Sequence, residues 1–287
     1  MATTPLFQQV DAVKAAPFLP ASLLGSARTP TDPGARWQLG MVWKPELCPS
    51  AQTFDYCEDV EDLPSAEGDD LVYYRPEGYR VQHVCPTRQV RDVDIDRASR
   101  QLDAATSFLL ARELWTGATT HVNPFVTPTT DQVENFSFAY GGATVVGSGA
   151  FTSPAIALGA LDSAAREAAN GQQVFLHMPS ELAQLDPYNF RRVGNILYTE
   201  QDSIVVVDGG YPTTGPNNTA TAGSAWMFAT GPVTVRTSPI DVISDPVQTV
   251  DRNQNLREIW ATRFAAATFD PCVLFAVEVA LPGLPGS

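Results

Sequence analysis

The strongest periodicity in the chain lies between residues 94 and 116, where apolar residues recur at steps of three and four. This pattern predicts a long helix with one buried face. We place its N-cap at Asp94, because aspartate accepts hydrogen bonds from the first free N–H groups, and its C′ residue at Gly117. At about 1.5 Å per residue the helix spans roughly 30 Å. The predicted stripe consists of Ile95, Ala98, Leu102, Ala105 and Leu109, widened near its end by Phe108, Leu110, Leu114 and Trp115.

Further along the chain, shorter patterns predict a second helix and a series of strands. Ser153 followed by Pro154 is typical of a helix start, because serine caps free N–H groups and proline fits the first helical position; Gly171 marks the end. The apolar runs QVFLHM, SIVVVD, AWMFAT and PVTVRT have the length of buried strands, and SELAQL predicts a short helix. We therefore expect a mixed block of helix and strand after the long helix.

The C-terminal part of the chain predicts two closing strands, EIWATRFAAATF and CVLFAVEVAL. They are joined by Asp270-Pro271, and because this link is short we expect the strands to pair as an antiparallel hairpin. The first strand alternates, which gives it two distinct faces. One face carries Ile259, Ala261 and Ala265, and the other carries Trp260, Phe264 and Ala266.

The N-terminal part of the sequence predicts an arm followed by a long hairpin. Residues 1–34 are rich in proline, alanine, threonine and serine, with short apolar pieces that would dock the arm; the alternative is a frayed terminus. Residues 36–46 and 71–84 predict the two hairpin strands, with Pro76 and Gly78 at a bend or an edge. The order of hairpin, long helix, mixed block and closing strands indicates the α+β class.

Between the two hairpin strands lies an acidic run. Such runs are typical of solvated loops. One alternative is a calcium site, although the spacing is not that of an EF-hand loop. Another is docking onto arginines of a neighbouring chain. The run contains Asp55, Glu58, Asp59, Glu61, Asp62, Glu67, Asp69 and Asp70.

The charge balance narrows the class of function. The formal net charge is −14, and the only lysines are Lys14 and Lys44. Tight binding of nucleic acid needs a basic face, so we expect none. A hydrophobic content of 44% indicates a globular chain. The sequence shows no signal-peptide pattern and no apolar run long enough for a bilayer, so we expect a protein made in the cytoplasm without a membrane segment.

The sequence contains few residues or motifs that could indicate catalysis or metal binding. The cysteines match no zinc spacing, so we interpret them as free thiols; a Cys48–Cys57 bridge is the main alternative, disfavoured in a reducing cytoplasm. His177 follows a strand and is predicted to be satisfied by backbone hydrogen bonds. Asp208-Gly209-Gly210 predicts a tight turn. No nucleophile, phosphate-loop or metalloprotease motif is present, so we expect no catalytic, cofactor-binding or metal-binding residues. The remaining cysteines are Cys85 and Cys272.

Five segments, taken in order, resemble the major capsid proteins of tailed phages that infect actinobacteria. Those proteins have a Pro-Glu-x-Cys run in the hairpin region, a long helix ending in a Trp-Thr-Gly-like turn, a strand-His-x-x-helix segment, a Gly-Gly-Tyr loop and a closing Asp-x-Cys strand. The resemblance covers most of residues 36–281. The matching segments are RWQLGMVWKPELC with Cys57 after it, RQLDAATSFLLARELWTG, VFLHMPSELAQL, IVVVDGGYPTTGP and ATFDPCVLFAVEV.

This resemblance implies the Hong Kong-type phage capsid fold, an α+β fold that encapsulin compartments share. It places an N-terminal arm at residues 1–34 and an extended β-hairpin loop at residues 35–84. The peripheral domain, with the long helix as its spine, would comprise residues 85–152 and 231–287. The α/β axial domain would comprise residues 153–230.

The resemblance also implies a structural role without catalysis or cofactor. The expected protein self-assembles as hexamers and pentamers into the icosahedral head of a tailed phage, in the host cytoplasm, and becomes part of the virion. It encloses double-stranded DNA without reading its sequence. A separate scaffold protein is expected, because the arm is too short to be a cleavable scaffold, together with a portal and, as a further candidate, a decoration protein. The alternatives are an encapsulin-like compartment and, in another class, a cytoplasmic α/β enzyme using His177 and the DGGY turn.

Candidate inter-subunit contacts follow from the same interpretation. Acidic residues of the hairpin would meet arginines of a neighbouring subunit in a repeated lattice. Lys44 is the only lysine in the hairpin, and no partner is indicated for a Lys–Asn cross-link, so we expect none. The candidate contacts are Asp59, Glu61, Asp62, Asp69, Asp70, Arg75, Arg80, Arg88, Arg91 and Arg97.

Overall fold

The strands of the described residues form two larger sheets and one two-stranded sheet. The computed structural model describes residues 20–30, 37–39, 41–43, 72–74, 76–85, 92–117, 137–185, 190–243, 250–251 and 256–281. Within them the helices are α1 (Leu23–Ser26), α2 (Asp92–Thr116), α3 (Pro154–Ala168) and α4 (Ser180–Leu185). The strands are β1 (Met41–Trp43), β2 (Val72–Tyr74), β3 (Glu77–Cys85), β4 (Thr144–Val145), β5 (Phe175–Met178), β6 (Arg191–Val193), β7 (Ile196–Tyr198), β8 (Ile204–Val207), β9 (Ser224–Thr230), β10 (Thr234–Thr237), β11 (Asp241–Ile243), β12 (Val250–Asp251), β13 (Leu256–Thr268) and β14 (Leu274–Ala280).

One sheet has seven strands in the order β4-β14-β9-β5-β8-β7-β6. Every residue of β5 and β9 is buried, as their continuous apolar runs predict for central strands. Helix α3 packs against β14 and β9. Its Leu161 and Ala165 are fully buried in one cluster with Val277 and Val279 of β14. The sheet and α3 thus form one of the hydrophobic cores.

The other sheet is built around the long strand β13. Strand β3 pairs with one edge of β13, from Arg257↔Cys85 to Ala265↔Glu77. Strands β10, β11 and β12 follow one another along the opposite edge. Helix α2 packs on one face, where its Ala98 and Leu102 form a buried cluster with Ile259 and Ala261. Helix α2 therefore packs on β13, the first of the two predicted closing strands.

Helix α2 confirms the predicted long helix and corrects two of its details. It has 25 residues and ends at Gly117, whose φ of +58° is the left-handed value that glycine adopts without strain. Asp94, the predicted N-cap, lies inside the first turn and is buried. Phe108 is 42% exposed and does not join the buried stripe, because it lies one turn before the exposed Arg112 on the outer side of the helix.

The predicted hairpin between the two closing strands is wrong. Strand β13 pairs with β3 and β10–β12, whereas β14 pairs with β9 and β4 in the seven-stranded sheet. The link through Asp270-Pro271 is short enough for a hairpin, but it carries the chain from one sheet to the other instead. Each strand gains a long partner in this way, β3 for β13 and β9 for β14, and the sequence between them does not reveal that choice.

The described base of the N-terminal hairpin is confirmed in part, because Trp37–Leu39 of the first predicted strand form a 3₁₀ helix. Strands β1 and β2 pair antiparallel, with Met41 opposite Tyr74 and Trp43 opposite Val72. Strand β3, which follows after Pro76, pairs with β13 instead. The second predicted hairpin strand therefore divides at the predicted break, and its C-terminal part belongs to the five-stranded sheet. The acidic tip lies outside the described residues.

Most predicted elements of the mixed block are present. Helix α3 begins after the capping Ser153 with Pro154 in its first turn, and Gly171 follows it with a φ of +75°. Strands β5, β8, β9 and β10 and helix α4 match the predicted segments. The patterns did not predict the short strands β4, β6, β7, β11 and β12, of which β6 is exposed throughout. Among the described residues, no helix combines the length and the apolar character that a membrane span requires.

The predicted domain division crosses the seven-stranded sheet. Strand β14, which lies in the predicted peripheral domain, is hydrogen-bonded to β9 of the predicted axial domain from Leu274↔Thr230 to Ala280↔Ser224. The β-sheet that includes β9 thus continues beyond the boundary set at residue 230. The division itself stays a prediction.

Candidate assembly surface and buried polar clusters

Two of the candidate inter-subunit contacts lie in the described part of the chain. Arg80 is in β3 and Arg97 is in α2, and both are exposed. The structure does not bring them together. Tyr79 and Val81 of β3 pack toward α2, so Arg80, which lies between them, points to the opposite face of the sheet. The candidates outside the described residues are Asp59, Glu61, Asp62, Asp69, Asp70, Arg75, Arg88 and Arg91.

The face of the five-stranded sheet opposite α2 forms a surface that we call the outer sheet face, defined by Arg80, Trp260 and Phe264. The guanidinium of Arg80 lies over the Trp260 ring, 5.1 Å from its centroid. The Trp260 indole N–H donates a hydrogen bond to Glu258 at 3.2 Å. Phe264 is 43% exposed. This face therefore presents aromatic rings and a stacked cation to solvent.

On the inner face of the five-stranded sheet, an ion pair joins β13 to helix α2. Arg263 of β13 donates to the carboxylate of Asp103 at 2.7 Å, and its side chain is 14% exposed. Arg263 also donates to Thr106 at 3.4 Å. An Asp96–Arg100 pair on the same helix is longer, at 3.7 Å, and lies in solvent, where such pairs contribute little.

His177 of β5 lies at the centre of a buried polar cluster. Its ring is fully buried, with Nδ1 2.9 Å from the Tyr211 hydroxyl and Nε2 3.0 Å from the Thr230 hydroxyl. The Thr230 hydroxyl donates to the Gly231 carbonyl, so it must accept from Nε2–H, and Tyr211 must donate to Nδ1. Burial lowers the pKa of His177 to about 3. The histidine is thus neutral at pH 7.

The structure corrects the predicted hydrogen-bond partners of His177. We expected backbone groups to satisfy the ring, but two side chains do so. Burial, and secondarily the charge of Asp208, raises the pKa of Tyr211 well above its usual range. The phenol therefore keeps its proton and remains the donor. Phe138 lies against the ring with centroids 4.6 Å apart, so the described surroundings of His177 leave it no solvent-facing side.

Asp208 confirms the predicted turn and adds a contact that the sequence did not indicate. Its Oδ1 accepts a hydrogen bond from the Gly210 N–H at 3.0 Å, as expected for an aspartate that starts a tight turn. Its Oδ2 accepts from Ser107 of α2 at 2.8 Å and from the Leu23 N–H of α1 at 3.1 Å. The carboxylate therefore joins three separate parts of the chain. The only sequence signal was the Asp-Gly-Gly motif itself.

Gly210 is required by close contact with α2. A Cβ atom at this position would lie 2.1 Å from the Phe108 carbonyl oxygen and 2.9 Å from the Arg112 nitrogen. Both are backbone atoms, so no side-chain rotation would relieve the overlap. The absence of a side chain at Gly210 lets the turn after β8 rest directly on the helix. A Cβ at the neighbouring Gly209 would meet only the Phe108 ring, at 3.8 Å.

A second buried carboxylate also joins two separate parts of the chain. Asp162 of α3 accepts hydrogen bonds from Arg166 at 3.1 Å and from Ser203 at 2.5 Å. Arg166 also donates to the Gln201 carbonyl. The group ties α3 to the turn before β8. It is a paired structural cluster rather than a reactive one.

Cys272 is joined in a disulfide, so the prediction of a free thiol is wrong at this position. Cys272 lies in the turn between β13 and β14, where its N–H donates to Asp270 at 3.0 Å and orders the loop. Spacing alone did not reveal a bond between distant parts of a chain. Cys48 and Cys57 lie outside the described residues, and their pairing stays a prediction.

The described residues contain no group of three or more histidine, cysteine, aspartate or glutamate side chains arranged to hold a metal ion. The acidic run, for which calcium was an alternative, lies outside them. His177 and Asp208, the residues of the enzyme alternative, are both buried and engaged in hydrogen bonds that hold the fold together.

No protein-family model matches the sequence, and no curated protein matches it. The fold, in contrast, is similar to that of several solved shells. The capsid of Ralstonia phage GP4 has a TM-score of 0.53 at 11% identity, covering 99% of this chain and 98% of that chain. The capsid of the empty GTA particle has a TM-score of 0.53 at 12% identity, covering 94% and 100%.

A third similar solved structure is an encapsulin complex. The SrpI encapsulin complex from Synechococcus elongatus has a TM-score of 0.54 at 11% identity, covering 97% of this chain and 95% of that chain. These matches span nearly the whole of each chain, so they concern the complete architecture rather than one sheet. The chain has the α+β Hong Kong-type capsid fold.

Proposed function

We propose that the protein is the major capsid protein of a tailed phage, and that it self-assembles as hexamers and pentamers into an icosahedral head. The observation that carries the proposal is the end-to-end similarity of fold to the capsid of Ralstonia phage GP4. The motifs of the sequence, which resemble phage coat proteins, support it independently. The buried roles of His177 and Asp208 agree with a structural function.

The proposed shell contacts combine the acidic hairpin with exposed arginines of a neighbouring subunit. The acidic residues of the hairpin would lie on arginines of a neighbouring subunit, with Arg80 and Arg97 as the candidates whose positions are described. Arg80 is exposed and held over Trp260, so its guanidinium is already oriented toward solvent. A preorganised cation loses less entropy when it binds a carboxylate.

Enclosed DNA is the proposed content of the shell. A chain with a net charge of −14 repels polyanions at long range. A wall of this charge would hold the genome without binding it, and no sequence-specific contact is proposed. The further partners that we propose are a separate scaffold protein, a portal and a decoration protein, with assembly in the host cytoplasm and a final location in the virion.

An encapsulin-like compartment is the second candidate, favoured by the similarity to the SrpI encapsulin. The two candidates differ in what the chain forms when it is expressed alone. A compartment protein is expected to form closed shells of one size without help. A phage head protein is expected to form capsomers or irregular shells, and to form uniform heads when its scaffold is co-expressed.

Negative-stain microscopy of the purified protein tests the proposal. Shells or capsomer rings are the expected result. A monomer that persists under all conditions, with and without the scaffold, would contradict both candidates. A variant lacking residues 50–68 is expected to keep a folded core and to lose assembly. Normal shells from this variant would show that the hairpin tip is not a contact between subunits.

A further inference from the structure

The segment of residues 20–30 connects the two sheets without belonging to either. It begins beside the seven-stranded sheet. The Ala21 N–H donates to the Asn195 carbonyl at 2.6 Å, and the Val207 N–H of β8 donates to the Ala21 carbonyl at 2.8 Å. It ends beside the five-stranded sheet. There Arg28 forms a parallel bridge with Thr234 of β10.

The contact at Arg28 uses two backbone hydrogen bonds. The Arg28 N–H donates to the Val233 carbonyl at 3.0 Å, and the Val235 N–H donates to the Arg28 carbonyl at 2.8 Å. The Arg28 side chain is exposed. Arg28 itself is therefore held through its backbone, while the side chain of Ala27 before it packs against the core.

Between these ends, the segment is anchored on Asp208 and in the core. Leu23 donates its N–H to Oδ2 of Asp208 at 3.1 Å, and its side chain is fully buried in one cluster with Leu110 and Trp115 of α2. Helix α1 has four residues, too few for a helix to be stable by itself in water. Its order therefore depends on these anchors.

We propose that residues 20–30 form an intramolecular strap that holds the seven-stranded sheet, helix α2 and the five-stranded sheet in one relative orientation. Asp208 is its positioning residue, because that carboxylate receives hydrogen bonds from the strap and from α2 at the same oxygen. Both sheets and α2 also share one buried cluster with Leu23, so opening of the strap is a local event that leaves both sheets folded and removes one restraint on their relative orientation. The inference concerns the single chain and does not depend on the proposed function.

The backbone of Ala21 supports the idea of a strap that opens locally. Ala21 has a φ of +58°, in the left-handed region that an alanine enters only at a cost. The residue is nevertheless buried, with both of its backbone groups in hydrogen bonds. Such a conformation is held by its anchors and relaxes when they are lost, so the strap stores strain at the point where it joins the sheet.

Two pairs of variants of the full-length chain test the strap. In Asp208, the backbone N–H groups of Leu23 and Gly210 donate to different carboxylate oxygens. Asp208→Asn keeps the size of the side chain but offers only one acceptor oxygen, so one of these two hydrogen bonds is lost. Ser107→Ala is its control, since it leaves both backbone bonds in place. Arg28→Pro removes the N–H that bonds Val233, and Thr29→Pro is the matched control at an exposed neighbour.

Hydrogen–deuterium exchange followed by mass spectrometry is the measurement. Asp208→Asn and Arg28→Pro are expected to raise the exchange rate of peptides within residues 20–30 about tenfold or more, while peptides from β5 and β9 exchange as in the wild type. The two control variants are expected to stay within about twofold of the wild type. If Asp208→Asn fails to fold, Arg28→Pro decides the question, because it changes only one exposed residue.

Two outcomes would overturn the inference. One is exchange in the strap that rises only together with exchange in β9, since the segment would then be part of a single cooperative core. The other is unprotected exchange of the strap in the wild type. The relative orientation of the two sheets is measured separately, as the distance distribution between spin labels on unnatural amino acids at Val193 of β6 and Thr262 of β13. Arg28→Pro should broaden it, and an unchanged distribution would refute the strap. Neither measurement requires shells, so the result stands apart from that of the assembly test.

Discussion

The hydroxyl of Tyr211 lies 2.9 Å from Nδ1 of His177 in a fully buried contact that joins the turn after β8 to the centre of the seven-stranded sheet. Both residues are in their neutral forms. Because burial lowers the pKa of His177 and raises that of Tyr211, each favours the protonation state that the hydrogen bond needs. The contact is therefore stable at neutral pH and sensitive to acid.

The first prediction concerns this acid sensitivity. The folded pKa of His177, about 3, lies below the ordinary value of 6.5, so the unfolded chain takes up the proton first as the pH falls. The contribution to stability is fully present above pH 6.5 and is lost progressively as the pH falls from 6.5 toward 3. The loss is at most about 1.4 kcal/mol per pH unit in this window. Thermal unfolding of the wild type between pH 7 and pH 4.5 measures it.

His177→Gln supplies the control for this prediction. Glutamine preserves one acceptor and one donor, but it fits the site less well, so we expect the variant to be less stable at pH 7. Because glutamine does not titrate, the unfolding free energy of the variant should change less between pH 6.5 and 4.5 than that of the wild type. Other groups contribute equally to both proteins and cancel in the difference. Parallel pH profiles for the two proteins would contradict the assignment of acid sensitivity to His177.

The second prediction concerns the contact between the turn and the helix. Gly210→Ala places a Cβ 2.1 Å from a backbone oxygen of α2, so either the turn or the helix must move. We expect a loss of unfolding free energy of about 3 kcal/mol or more. Gly209→Ala is the matched control, because its Cβ meets only the Phe108 ring at 3.8 Å, and we expect a change below about 1 kcal/mol. Urea denaturation of both variants measures the difference, and equal stabilities would refute the close contact.

The sequence predicts most helices and strands of the fold, but it does not predict which strands pair or which distant side chains form hydrogen bonds. The period of α2 and the caps of α3 are local signals, and both helices are confirmed. The pairing of β13 and β14 with different sheets is a long-range choice that a short link does not decide. The same holds for Asp208 and Ser107, whose hydrogen bond joins residues 101 positions apart. Propensity describes one segment at a time, and such contacts arise only when segments are packed together.

The third prediction concerns Cys272. Because its sulfur is in a disulfide, we expect iodoacetamide to leave it unmodified in protein purified without reductant, and to modify it after reduction and unfolding. Peptide mapping of a non-reduced digest is expected to show Cys272 linked to a second cysteine-containing peptide, which identifies its partner. Complete alkylation of Cys272 in the unreduced, unfolded protein would show that the bond is absent.

The last prediction concerns the outer sheet face. Phe264 is 43% exposed on it, beside the Arg80–Trp260 pair. Because more than half of this side chain is buried, we expect Phe264→Ser to lower the unfolding free energy by about 1–2 kcal/mol and to leave the protein folded. If the face is a contact between subunits, the loss of the ring removes apolar area that assembly would bury, and the yield of shells should fall severalfold.

Ile156→Ser is the matched control, since Ile156 is 65% exposed on the surface of α3 and its loss removes comparable apolar area from a different part of the chain. Assembly yield is measured by sedimentation and negative-stain microscopy at equal protein concentration. A selective effect of Phe264→Ser assigns the outer sheet face to the subunit contact. Equal yields from both variants and the wild type would remove Phe264 from that role, because a buried aromatic ring in an interface is among the residues whose loss costs most.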